Sequence, residues 1–182
     1  FGRVLGLNER ATMTRGWVAE SAKQAEQAAT DQNLKDEARQ AFITAHQYDL
    51  ASARAAAELR DGSISGDPAG TLTDLLGVVL PYHANIALKN DLDLIMYEGG
   101  SHVVGIGPIV NDAALTGFFT HFNYTAEMGT LYSELLAGWQ ALGGQMFTAY
   151  VDVYTPTKWG SWGALRSLDD SNPRWDALEM MK

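Results

Sequence analysis

Residues 92–102 read LDLIMYEGGSH, a short apolar run that ends in a tyrosine, a carboxylate, two glycines and a histidine. Leu92, Leu94, Ile95 and Met96 leave no polar face for solvent, which predicts a strand buried on both faces of a sheet. Glu98 then stands where a hidden strand ends. A carboxylate is costly to bury unless it is paired, and Gly99 and Gly100 supply a loop that lets backbone or ligand approach it closely. The plainer alternative is a strand-end acid held by neighbouring amides.

On either side of this strand the pattern alternates. Upstream, residues 71–90 repeat Leu72, Leu75, Leu76, Val79, Leu80, His83 and Ile86 at helical spacing, with Pro81 expected to kink or split the helix. Before it come a short strand at 2–7 (GRVLGL), helical stretches at 17–29 and 34–39, a second short apolar run at 41–45 (AFITA) and an alanine-rich helix at 51–60. Residues 61–70 (DGSISGDPAG) form a loop by their glycines, proline and small polar residues. Downstream, residues 103–110 are a glycine-punctuated loop, and Asn111 or Asp112 is placed to cap a helix carrying Phe118, Phe119 and Phe122. Met128, Leu131, Tyr132, Leu135, Leu136, Trp139 and Leu142 make the cleanest amphipathic stripe, stopped by Gly143 and Gly144. A last strand at 145–153 (QMFTAYVDV) runs into TPTKWGSWGAL.

The expected order is therefore strand, helix, strand, helix, strand, helix, strand and tail, an α/β chain whose parallel strands alternate with covering helices. Four such units make half of a closed eight-stranded barrel, which typically needs ~250 residues. The 182 residues are one domain or half of one. The chain opens on Phe1 where an initiator would be methionine, which reads as a processed, excised or partial chain.

Composition narrows the function classes. A net charge of -9 with scattered basic residues speaks against a nucleic-acid partner, and no apolar run reaches the ~18 residues of a membrane span. The absence of cysteine removes disulfides, thiolate metal sites and a cysteine nucleophile. His46, His83, His102 and His121 never fall at the i, i+4 spacing of a helical zinc motif, GSHVVGIG has neither a GxGxxG nor a P-loop lysine, and Ser101 is not flanked as a nucleophile elbow. No metal and no cofactor is expected.

In parallel α/β architectures reactive groups collect at the carboxyl ends of strands. Asn8 and Glu9 follow the first expected strand, His46, Gln47 and Tyr48 the second, Tyr97, Glu98 and His102 the third, and Asp152, Trp159 and Trp162 the fourth. A mouth rimmed by acids, amides and aromatic rings suits carbohydrate, because sugars offer hydroxyls to hydrogen-bond and C–H faces to stack on rings. Glycosidic cleavage needs two carboxyl groups. Glu98 is the candidate nucleophile of a retaining mechanism and Glu9 the one other glutamate at an expected strand end, with a solvated loop acid as its plainer reading. Tyr97 has no catalytic role and reads alternatively as a core side chain beside the rim, and Asp152, which alternates with Val151 and Val153, reads rather as a structural hydrogen-bonding residue than as a sugar contact.

The segments MYEGGSHV (96–103), WGSWGAL (159–165) and NPRWDAL (172–178) together resemble the carboxyl-terminal half of glycoside hydrolase-like (β/α)8 barrels of the clan A type, as found in large modular, often secreted bacterial proteins. The resemblance implies that the four strands are the fifth to the eighth of a TIM barrel, that Glu98 is the nucleophile and that Trp159 or Trp162 stacks on the sugar. It also places the family's Asn-Glu acid/base pair on a fourth strand ahead of Phe1; Asn8-Glu9 matches the pair in letters but falls one strand late. An extracellular or cell-surface glycoside hydrolase acting on a polysaccharide or oligosaccharide is the leading expectation, with the rest of the barrel, or a larger polypeptide, as partner. A catalytically silent barrel that binds carbohydrate or serves assembly in a surface or phage-like protein is the second. A complete small α/β domain with an open sheet is the third, and it would be a stable soluble monomer.

Overall fold

A computed structural model describes residues 1–181. The chain is mixed α/β, 60% helical, with one two-stranded parallel sheet. Helix α1 (Asn8–Asp31) buries Ala11, Thr14, Trp17, Ser21, Ala25 and Ala29, a stripe at three- and four-residue spacing. It packs on α2 (Asp36–His46) and on α3 (Asp49–Asp61), whose buried Ala51, Ser52, Ala55 and Ala56 are small enough to let two helix backbones approach. Leu72–Asp74 (α4) leads through a π-helical turn, Leu75–Val79, into α5 (Leu80–Lys89), with Pro81 in its first turn. The wider turn stands where proline's missing N–H and its ring would break the regular ladder.

Strand β1 (Leu94–Gly99) is followed by α6 (Ala113–Phe122) and α7 (Ala126–Ala141), and then by β2 (Gly144–Ala149), which lies parallel to β1 with Ile95 opposite Met146 and Met96 opposite Phe147. Asp112 caps α6 through Leu115 N–H and Thr125 caps α7 through Met128 N–H. The core gathers Leu115, Phe118, Phe119 and Phe122 from α6 and Met128, Leu131, Tyr132 and Leu135 from α7 against Trp17, Leu59 and Leu72. Burying side chains of this size contributes about 1.5–3 kcal/mol each, which is why the aromatic and leucine stripes of α6 and α7 set the packing. Helix α8 (Pro173–Glu179) lies on α7 and is capped by Asn172.

Four expectations are corrected. Residues 2–7 form a 3₁₀ turn (Arg3–Gly6), not a strand. Gly2 has φ +93° and Gly6 sits so close to the Val104 carbonyl that a Cβ would be 1.8 Å from its oxygen, so the segment is bent over the loop after β1. Residues 41–45 belong to α2, where Phe42 and His46 meet at i, i+4 with ring centroids 4.4 Å apart. A five-residue apolar run carries too little periodicity to outweigh a helix already started at Asp36. With two of the four expected strands helical, the described residues show neither regular strand–helix alternation nor half a barrel. Strand β1 is also not hidden: Ile95 is 52% and Tyr97 84% exposed.

Candidate functional site at the strand ends

The two strands end side by side. Tyr150 N–H donates to the Gly99 carbonyl at 3.0 Å, which brings the residue after β2 against the last residue of β1. Glu98 lies here, solvent-accessible, in a hollow of about 250 Å³ lined by Phe1, Gly99, Gly100, Ser101, His102, Tyr150 and Trp162. That is below the ~300–1,000 Å³ common for ligand pockets, and suits a single small ring. The glycine pair is required by its surroundings. A Cβ on Gly99 would lie 2.5 Å from the Phe147 ring, and Gly100 has φ +142° with a Cβ position 2.9 Å from Tyr132 Oη.

The aromatic wall is ordered by ring contacts. Trp162 meets His102 edge-on at 5.0 Å and Tyr150 edge-on at 6.2 Å. Its own carbonyl accepts from Val151 N–H at 2.8 Å, so the indole is tied to the segment that follows β2. Partial desolvation pulls the His102 imidazole, whose residue is still exposed, below its ordinary value, with the Glu98 charge pulling the other way. The imidazole is therefore neutral at pH 7 and can both donate and accept a hydrogen bond.

Behind the hollow is a buried polar knot. Ser101 N–H donates to Tyr132 Oη at 2.9 Å and Ser101 Oγ to Asn123 Oδ1 at 2.8 Å, while Asn123 Nδ2 donates to the carbonyls of Phe119 and Val103. Arg174, only 1% exposed, places Nη1 3.0 Å from the Ser161 carbonyl and 3.4 Å from both Ser101 Oγ and Asn123 Oδ1. Its guanidinium also lies 4.6 Å over the Tyr124 ring and 5.8 Å from that of Tyr132. Among the described residues no carboxylate pairs with it, and Nε and Nη2 bond to no protein atom. Desolvating a guanidinium costs several kcal/mol, and two cation–π contacts at about 0.5–2 kcal/mol each offset only part of that.

Of the residues singled out from the sequence, Glu98, His102 and Trp162 share this hollow. The others lie elsewhere. Glu9 is in the first turn of α1 and, with Asn8, Arg10, Ser65 and Asp67, lines a separate and larger hollow of about 800 Å³. That hollow is the less suitable ligand site, since Arg10 is engaged by Glu58 and Asp67. His46 pairs with Asp49 and stacks on Phe42, and Tyr48 packs between Phe118 and His121. Tyr97 is exposed on β1, Asp152 accepts from its own neighbour Val153 N–H, and Trp159 is exposed beneath Lys158. Sequence reasoning missed Tyr150 and Arg174. Ending the last strand at Val153 hid the first, because β2 stops at Ala149 and Tyr150 is its true strand-end residue. The arginine stood in the quoted NPRWDAL motif, where its neighbours alone predict a surface charge.

Comparison with known protein families, with curated proteins and with solved structures finds no match. No helix is long and apolar enough to cross a membrane.

Proposed function

We propose that Glu98 is the nucleophile of a retaining glycoside hydrolase site working outside the cell or at its surface. The observation that carries the reading is the meeting of Glu98, His102 and Trp162 in one hollow at the ends of two parallel strands. Trp162 and Tyr150 offer ring faces and edges for the C–H surface of a sugar, and the neutral His102 a hydrogen bond for a hydroxyl. A Glu98 carboxylate oxygen attacks the anomeric carbon and the bond to the leaving oxygen breaks with its electron pair; water later attacks the same carbon, whose bond to Glu98 breaks to restore the carboxylate, and the water's proton is released to solvent. Glu98 is the one carboxylate lining this hollow among the described residues, so the proton for a poor leaving group comes from a carboxyl group outside it.

That single carboxylate favours a second reading, a sugar-binding module without turnover. The test uses leaving groups that need no proton. Incubating the protein with a panel of dinitrophenyl deoxyfluoroglycosides of gluco, galacto and xylo configuration is expected to add one glycosyl unit to the peptide containing Glu98, and Glu98→Gln to abolish the adduct. Saturable binding of the parent sugars with no adduct would leave the binding module. Neither adduct nor binding would remove both.

A further inference from the structure

We infer that Arg174 is a positioning residue: through one buried nitrogen it couples the Glu98 wall of the hollow to the Trp162 wall. The two walls come from distant parts of the chain. Ser101 stands three residues after Glu98, and Ser161 immediately precedes Trp162. Arg174 Nη1 is the atom in reach of both, at 3.4 Å from Ser101 Oγ and 3.0 Å from the Ser161 carbonyl.

The surroundings explain why an arginine occupies this place. Besides the backbone bonds of Tyr150 to Gly99 and of Val151 to Trp162, each wall has side-chain ties of its own: Ser101 to Tyr132 and Asn123, and Gly163 to Tyr124, whose hydroxyl donates to its carbonyl at 3.1 Å. Those same tyrosines are the rings beside the guanidinium, so the cation is held by the anchors of both walls. An apolar side chain would fill the volume without the desolvation cost that a buried, unpaired guanidinium carries. Retaining the charge has a purpose if its N–H groups set a distance, here the one between the carboxylate-bearing loop and the indole. Rigid support behind a reacting group is what keeps it in productive geometry.

The role toward a sugar rests on the function proposed above; the coupling of the two walls does not. His102 reports on the coupling because its imidazole, although exposed, packs edge-on against Trp162 and is partly desolvated by that contact. The other charges facing it are Glu98, Arg3 and the amino group of Phe1, none of which an Arg174 variant removes. The test is NMR titration of His102 in Arg174→Met, Arg174→Lys and Ser101→Ala, with the rate of glycosyl trapping measured alongside. In folded Arg174→Met the His102 pKa is expected to rise toward its ordinary value and trapping to slow at least tenfold. Arg174→Lys should restore part of both, and Ser101→Ala should move both in the same direction by less. A folded Arg174→Met with an unmoved His102 titration overturns the inference. Should that variant not fold, unmoved titrations in both Arg174→Lys and Ser101→Ala overturn it equally. If His102 shifts as expected while even the unaltered protein forms no adduct, the coupling stands and the hydrolase reading fails.

Discussion

His102 and His121, both exposed, are held below their ordinary value, near 6.5, chiefly by partial desolvation. A histidine of lowered pKa binds fewer protons folded than unfolded, so stability rises with pH wherever the unfolded chain is the more protonated. The contribution is whole above about pH 6.5 and shrinks as pH falls through that value toward the lower folded pKa. Asp170, held far below the usual carboxylate range by its hydrogen bond to Arg166, and Asp112, lowered mainly by the Leu115 N–H, add a separate loss once pH drops below about 4. Denaturant unfolding across pH should therefore show two acid-side steps, and His102→Gln with His121→Gln should flatten the upper one alone. An upper step that survives both changes would refute this assignment. Glu98 and Trp162 were legible in the sequence because each sits in a short motif whose glycines announce close approach. Tyr150 and Arg174 were not, since their importance lies in what is beside them in space.

Among the elements, the loop at residues 61–70 depends on one buried acid. Glu58 is fully buried in α3 and accepts from Arg10 Nε at 2.8 Å, Ser65 Oγ at 2.6 Å and Ser65 N–H at 3.0 Å. These bonds tie α1, α3 and the loop together. Glu58→Ala is expected to destabilise the protein by about 2–3 kcal/mol, since it orphans a partly buried cation and two loop donors. Urea unfolding measures it, and a loss under about 0.5 kcal/mol would show that the loop is held by other contacts. Helices α6 and α7 were legible from the sequence, with the Asp112 cap of α6 and the glycine stop after α7, because long apolar stripes have few other solutions; the Thr125 cap of α7 was not read. The AFITA run was not: five apolar residues fit a strand or a helix turn, and only the preceding helix decides.

For the whole molecule the unusual feature is the bare side of the sheet. Ile95, Tyr97, Met146 and Tyr150 are exposed on a parallel pair, and Val78, Val79, Tyr82 and Ile86 are exposed on the helical segment that leads toward it. Parallel strands are ordinarily covered on both faces, and an exposed apolar edge invites association. The protein should bind a hydrophobic dye and self-associate with rising concentration in sedimentation experiments. Ile95→Lys with Met146→Lys should weaken both while changing stability by less than about 0.5 kcal/mol each, the usual size for exposed positions. A monomeric, dye-silent protein at high concentration would instead favour a self-sufficient α/β domain with an open sheet.

By itself the sequence determined the amphipathic stretches of α1, α3, α6 and α7, the Asp112 cap, the strand at Leu94–Gly99 and the acid at its end, because these follow from local periodicity and from the few residues that tolerate a given backbone. Only the tertiary structure decided how many strands form, which side of β1 meets solvent, and which distant side chains join Glu98. A strand exists only when a neighbour supplies its hydrogen bonds. A binding hollow likewise exists only where loops from separate parts of the chain are packed to face one another.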